Sequence, residues 1–454
     1  MGRNEPTPAK DRARHARPRR PAAVGGGLRS GRRHHCHIRH GSPGGRRRIV
    51  RQELAVRISA GTRQFDRGRN VRDLAQRHCR ARTRPATQVR SAPVDFSLNE
   101  EQVLLRDSAR EFLGEEWPSA ELRRMLDGAD GATAAQSLWS KMSDLGWPSL
   151  LVSEDYDGLG LGMFDLAVLM EETGAALIPA TLHASGLLAV SALEALADED
   201  SCQKYLPDIA DGKLKPPVGI YEPGSGWTPM MLAPETGEAV TKRYVPDAAS
   251  ADLILFVNRT GGNGAQIAIA HEAQVEDTYS MDVTRSLSQV TCPAGQLEVL
   301  GKGTIADVQA VIDRATIGLS AELIGGSARV LDMTVEYVKS RKQFGRAVGT
   351  FQAVQHKAAD MLIGIEKGRT GVYYAAAVAD ERPDDLARAA SVAKATANQT
   401  AVSVGELGIQ LHGGLGFTWE QDLHLYLKRA KAAEFTYGDT KWHLDRIAHG
   451  LGLS

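Results

Sequence analysis

Downstream of Asn99 the chain settles into the 3.6-residue alternation of an amphipathic helix, with Leu105, Ala109, Phe112 and Leu113 on one apolar stripe. Asn99, with Gln102 three residues on, supplies a capping pair at its start, and Trp117-Pro118 ends it. The same period predicts helices over 135–145 and 164–177, the second bounded by Gly162 and Pro179. Between them, 151–162 (LVSEDYDGLGLG) reads as a loop whose glycines permit positive φ. A helical first domain over 94–213 is the expectation.

After Lys213-Leu214-Lys215-Pro216-Pro217 the period changes. Short β-branched runs appear at 218–221, 239–245, 253–258, 266–270, 289–292 and 297–300, with turn residues between them at the spacing of a small antiparallel barrel or sandwich. This predicts a middle β domain over 214–304. From Ile305 long amphipathic segments return at 305–340, 350–379, 385–411 and 420–433, which predicts a C-terminal four-helix arrangement over 305–454. The fold class is α+β.

Composition changes the picture chiefly at the N-terminus. The formal net charge is zero over 454 residues, but residues 1–92 hold about 25 basic against about five acidic side chains, so the remainder carries roughly 20 excess negative charges. That first piece is almost all Arg with Gly, Pro, His and Ala, and it lacks the large apolar residues needed to offset chain entropy, so residues 1–93 are expected to be disordered. A nucleic-acid arm would show Lys beside Arg and interleaved aromatics, whereas Phe65 is the only aromatic there. A transit peptide is the other functional reading of such a segment. No apolar run approaches the ~20 residues that cross a bilayer. Cys36, Cys79, Cys202 and Cys292 have no ligand spacing, which argues against a metal site and fits a reducing cytoplasm.

Two constellations carry candidate chemistry. In 337–360 (YVKSRKQFGRAVGTFQAVQHKAAD), Arg341 follows Tyr337 by one helical turn, where a guanidinium is free to fork onto a phosphate. Phe344-Gly345 turns the chain, and Gln352 and Gln355 open the next helix. In 410–418 (QLHGGLGFT), a helix ending in Gly-Gly-x-Gly exposes backbone amides and lets a ligand approach closely. His412 reads better as a packed turn residue than as an acid or base.

These segments, with Ala359-Asp360-Met361 and the order helices, β module, helices, resemble the acyl-CoA dehydrogenase family over nearly all of 95–454. The resemblance implies FAD, an acyl-CoA substrate and an electron-transfer flavoprotein or similar acceptor. It assigns Arg341, Gln343, Phe344 and Gln352 to the FAD pyrophosphate and adenosine of a neighbouring subunit. Gln410, Gly413 and Gly414 are placed against the diphosphate, and Thr440 is a further cofactor contact. It implies a homo- or heterotetramer in fatty acid or steroid side-chain β-oxidation. Val94-Asp95-Phe96-Ser97-Leu98 also resembles the Met-Asp-Phe opening of the family, and valine is what an alternative GTG start codon reads as internally. Residues 1–93 are therefore expected to be upstream sequence from a misplaced start.

The family reaction needs a base for the α-proton while the β-hydrogen leaves as hydride and hydrogen bonds polarise the thioester carbonyl. Relatives supply Glu in a Tyr-Glu-Gly-Thr turn; the matching residues here are Tyr437-Gly438-Asp439-Thr440. Three readings follow. Asp439, one residue late, serves as base; a carboxylate on the first C-terminal helix serves, although 315–320 has none and Glu322 lies about two turns on; or the chain lacks its own base. The third resembles the base-less subunit of actinobacterial heterotetrameric dehydrogenases, paired with a Glu-containing paralogue. Two further departures fit it. The Thr-Glu-Pro-x-x-Gly-Ser motif reads Tyr221-Glu222-Pro223-Gly224-Ser225-Gly226-Trp227, and the Lys-x-Trp-Ile-Thr strand reads Lys242-Arg243-Tyr244-Val245-Pro246. A non-catalytic acyl-CoA-binding subunit is the remaining alternative. Gly325-Gly326 reads as close helix packing more readily than as room for a bulky acyl group.

Overall fold

The computed structural model describes residues 97–128, 131–232 and 237–453; the expectations for residues 1–93 and for Val94-Asp95-Phe96 lie outside the described residues. Helix α1 (Glu100–Glu116) begins with the expected capping box, Asn99 and Gln102 exchanging side-chain and backbone bonds, and ends at Trp117. It is followed by α2 (Ser119–Leu126), α3 (Gly131–Asp144) and α4 (Met163–Ala175). A buried π-helical segment (Leu182–Ala189) runs into α5 (Val190–Leu196), and α6 (Glu199–Ala210) completes the N-terminal helices.

The middle of the chain is not a closed barrel. Strands β1 (Val218–Gly219), β3 (Leu255–Gly261), β4 (Gly264–Ala270) and β7 (Leu297–Thr304) form one sheet in the order β1-β3-β4-β7. Strands β2 (Ala239–Pro246), β6 (Leu287–Pro293) and β5 (Gln274–Thr278) form a second, in the order β2-β6-β5. The expected antiparallel pattern fails at β1, which pairs parallel to β3 through Val218 with Leu255. Phe256, Val290, Val245 and Cys292 fill the space between the sheets, and no strand pair among the described residues joins the two into a ring.

Helix α7 (Ile305–Ser340) is the axis of the molecule and packs on α4, α8 (Gln352–Glu381) and α9 (Leu386–His412). Its crossing with α4 is tight. A Cβ at Gly325 would lie 1.7 Å from the Glu171 carbonyl oxygen, and one at Gly174 would lie 2.0 Å from that of Glu322. Gly325 is thus a close-packing residue, the first of the two readings of that pair. A short hairpin, β8 (Lys342–Gln343) with β9 (Arg346–Ala347), separates α7 from α8. Helices α10 (Leu423–Ala433) and α11 (Thr440–Gly450) close the chain, so the C-terminal part has five helices rather than four. None of the described helices is long and apolar enough to cross a membrane, and no metal-holding cluster occurs among the described residues.

Buried charges tie the parts together. Arg429 on α10 reaches Asp282 and Thr284 in the β5–β6 connection and the carbonyl of Ile178 ahead of the π-helical segment. Beside it Arg285 pairs with Glu322 of α7. Each ion here is matched by an opposite charge, the condition under which burial is tolerable.

Candidate functional site

The helix α7 corner stands open. Arg341 caps the C-terminus of α7 through its backbone N–H to Tyr337, and its exposed guanidinium makes no hydrogen bond or ion pair among the described residues. Gln352, first residue of α8, is exposed and equally free, whereas Gln343 donates to the Lys342 carbonyl at 2.8 Å. Phe344 has φ +53° and is 91% exposed, edge-on to Phe351. A large aromatic in a left-handed conformation and in water is costly to the isolated subunit, so such strain points to a ligand or a partner.

Around the end of α9, Gln410 accepts from Lys357 at 2.7 Å, and Gly413 (φ +63°) and Gly414 are exposed, with nothing within 4 Å of a Cβ built on either. The backbone there is open to an incoming group. His412 is buried, its Nδ1 within 2.8 Å of the Gly408 carbonyl and its ring stacked on Tyr337 at 4.3 Å. Burial lowers its pKa. It holds the turn.

The Tyr437–Thr440 turn is the opposite case. Gly438 has φ +114° and is buried, and a Cβ placed on it would fall 2.5 Å from Trp442 Cε3 and 2.8 Å from His443 Nε2. The next turn of helix thus occupies the space in which a side chain at 438 would start. Asp439, the sequence candidate for the base, is the N-cap of α11, its Oδ1 accepting the Trp442 N–H at 2.7 Å. Thr440 is half-buried, its hydroxyl 3.5 Å from the Asn398 amide. Glu322, the other carboxylate considered, is buried in its pair with Arg285.

Below this turn lies Lys394, wholly buried, donating to Asn398 Oδ1 at 2.7 Å and to the Ala433 carbonyl at 2.6 Å. Loss of hydration outweighs the nearby Glu434 and Asp439 and lowers its pKa to about 7. His443 is buried too, and desolvation with the charges of Lys394 and Arg446 lowers it to about 3. Above the turn, Trp227 donates to the Phe435 carbonyl at 3.0 Å and lies edge-on to Trp442 at 6.5 Å.

The strands that carry the altered motifs have a distinct local geometry. Lys242 is fully buried and paired with Glu222 at 2.7 Å. A bulge follows it in the β2–β6 ladder, and there Tyr244 takes φ +58° and faces outward. Sequence reading missed Lys394, Arg285 and His183. The last is an isolated histidine in an apolar run, a pattern that more often marks a satisfied core residue.

Does FAD fit these residues? At the corner it does: a free guanidinium, a free amide and an uncovered Gly-Gly backbone suit a diphosphate. At the turn the rings of Trp442 and His443 stand where side-chain contacts would begin.

The acyl-CoA dehydrogenase N-terminal and C-terminal domain models match residues 99–213 and 301–452. Acyl-CoA dehydrogenase IpdE2 of Mycobacterium tuberculosis is 31% identical over 332 residues, 73% of this chain and 91% of that protein. Among solved structures, a variant of the Tcur3481–Tcur3483 steroid ACAD is 27% identical with a TM-score of 0.69, covering 78% of this chain and 99% of that one. Butyryl-CoA dehydrogenase from Megasphaera elsdenii, 22% identical with a TM-score of 0.69, shares the fold over 79% of this chain and 99% of its own. The chain belongs to the acyl-CoA dehydrogenase family, oxidoreductases that act on CH–CH groups with FAD as cofactor.

Proposed function

We propose that this chain is a subunit of an acyl-CoA dehydrogenase that lends the diphosphate-binding half of a FAD site to a partner chain, the partner carrying the carboxylate base. One observation carries the reading: position 438, where the family places its base, is a glycine against which Trp442 and His443 are packed, while Arg341, Gln352 and Gly414 are left uncovered. A tetramer, homo- or hetero-, follows, because a corner on the outside of one subunit serves a flavin only if another subunit presents it. The likeness to a steroid ACAD whose name joins two components supports a paralogous partner.

Bound FAD would supply the acceptor for the β-hydride. Arg341 and Gln352 hold the diphosphate and adenosine, with Gln343, Phe344, Gln410, Gly413 and Gly414 forming the rest of that surface and Thr440 lying at the turn. The Gly438 N–H remains available to polarise a thioester carbonyl. No carboxylate of this turn is free to take the α-proton, because Asp439 caps α11. The domains are 94–213, 214–304 and 305–454, an electron-transfer flavoprotein or similar acceptor receives the electrons, and the assembly works in the cytoplasm on fatty acyl or steroid side-chain thioesters.

Co-expression with a Glu-containing paralogue tests this. The complex is expected to retain FAD, seen by absorbance at about 450 nm, and to oxidise acyl-CoA, while the chain alone does neither. Full turnover by a homotetramer of this chain overturns it.

A further inference from the structure

Three rings line up beside the Gly438 turn, and each carries a polar atom that the protein does not use. His183 stacks on Tyr437 with centroids 5.8 Å apart, and Tyr437 lies 6.4 Å from Tyr221. Nε2–H of His183 donates to the Ala315 carbonyl at 3.0 Å, which fixes the neutral tautomer with the lone pair on Nδ1. Neither that Nδ1 nor the Tyr437 hydroxyl makes a hydrogen bond among the described residues. The Tyr221 hydroxyl is buried without a partner, and so is Nε of Arg285.

Of these the Tyr221 hydroxyl and Arg285 Nε are the buried ones, and buried polar atoms left without partners cost stability, so the group asks for an occupant. The ring contacts make His183, Tyr437 and Tyr221 neighbours, and the Arg285–Glu322 pair acts electrostatically on His183 and Tyr437. His183 belongs to the π-helical segment, a local irregularity often found at functional sites. The charges around the cluster already balance: Arg285 and Arg429 against Glu322 and Asp282. A further buried carboxylate would be uncompensated there, whereas a hydroxyl can donate to the His183 Nδ1 lone pair and a hydroxyl or ketone oxygen can accept from the phenols and the free guanidinium N–H.

We infer that the acyl group received at this face carries neutral oxygen, as hydroxyl or ketone, and that Tyr221, His183, Tyr437 and Arg285 read it. The inference deepens the acyl-CoA reading and rests on it. An unsubstituted alkyl chain would leave these atoms unpaired, and sites built for a hydrogen bond discriminate strongly against ligands that lack one.

The test is isothermal titration calorimetry of the FAD-loaded complex with octanoyl-CoA, 8-hydroxyoctanoyl-CoA and 5-oxooctanoyl-CoA. At least one oxygenated thioester is expected to bind about tenfold or more tighter than octanoyl-CoA. Tyr221→Phe and His183→Phe are expected to bring that ratio toward one. Tyr221→Phe also serves as a folding control: it removes an unpartnered buried hydroxyl, so the thermal midpoint of the free complex should hold or rise. Equal affinity for all three probes, or a ratio unchanged in both variants, overturns the inference while leaving the family reading intact. Binding of none of them overturns both.

Discussion

The open corner at Arg341–Gln352 and the filled turn at Tyr437–Thr440 belong to the same fold and, by family likeness, to the same kind of active site, yet they have been treated in opposite ways. At the corner, Arg341 and Gln352 are exposed and their side chains have no partners among the described residues, and Phe344 stands in water. At the turn, Gly438 is buried against two rings, Asp439 caps a helix, and Lys394 below is bonded to Asn398 and the Ala433 carbonyl. The first arrangement is incomplete without something from outside. In the second, the space where a side chain at 438 would start is already filled from within. The contrast separates a surface left open to an incoming group from a turn packed by the chain's own rings.

The strongest way to break the contrast is Gly438→Glu. Overpacking against Trp442 and His443, added to a φ of +114°, should cost about 3–5 kcal/mol, read as a large fall in the chemical denaturation midpoint. A stable, active Gly438→Glu chain would show that the turn is open after all.

Next comes a pH effect at the buried lysine. In the unfolded chain Lys394 keeps its proton up to its ordinary value of 10.5, but in the fold it releases it at about 7. Unfolding therefore takes up a proton between those limits, and stability rises with pH across the window at up to about 1.4 kcal/mol per unit. Wild type compared with Lys394→Met should gain on the variant from pH 7 to pH 10, and the difference should be flat below pH 6. A difference independent of pH would remove the charge burial beneath the turn.

Arg341→Ala sharpens the other side. FAD affinity of the complex should fall about tenfold to a hundredfold, the scale of a charge-assisted hydrogen bond. The stability of the subunit should stay within about 0.5 kcal/mol, because Arg341 has no partner to lose. The smallest effect is at Asp439. Asp439→Ala should cost about 1 kcal/mol as a lost cap, while Asp439→Asn, an equally good cap, should leave stability and turnover of the complex in place. Abolished turnover in Asp439→Asn with FAD still bound would restore Asp439 as base.

Much of the corner and the fold was legible because it is written in local signals. Asn99 and Gln102 cap α1 as their spacing implies, each expected strand run is met by a strand although β5 (Gln274–Thr278) lies outside all of them, and His412 packs in its turn. Pairing was not legible. Nothing in Val218-Gly219 announces a parallel neighbour at Leu255-Phe256, because sheet order is decided by contacts distant in sequence. The π-helical segment was hidden in a mostly apolar stretch, interrupted by His183, Ser185 and Gly186, where no clear period marks a change of helix type. Asp439 carries two signals at once: its place just before the residues of α11 is an N-cap signature, and its place beside Gly438 makes it a candidate base. That Trp442 and His443 close over Gly438 follows only once α11 is known to start at Thr440 and bring them back over the turn.

The packing around Gly438 also bears on descent. A lineage that had merely lost its glutamate could regain it by one substitution at 438. Here the space has been taken by Trp442 and His443, with Trp227 edge-on behind Trp442 and tied to the Phe435 carbonyl, so the reverse step meets a collision unless neighbouring positions change first. Each such change alone would loosen a packed ring without returning a base. The glycine therefore acts as a latch on the present packing: any side chain at 438 has to displace Trp442 or His443 before it can occupy the turn.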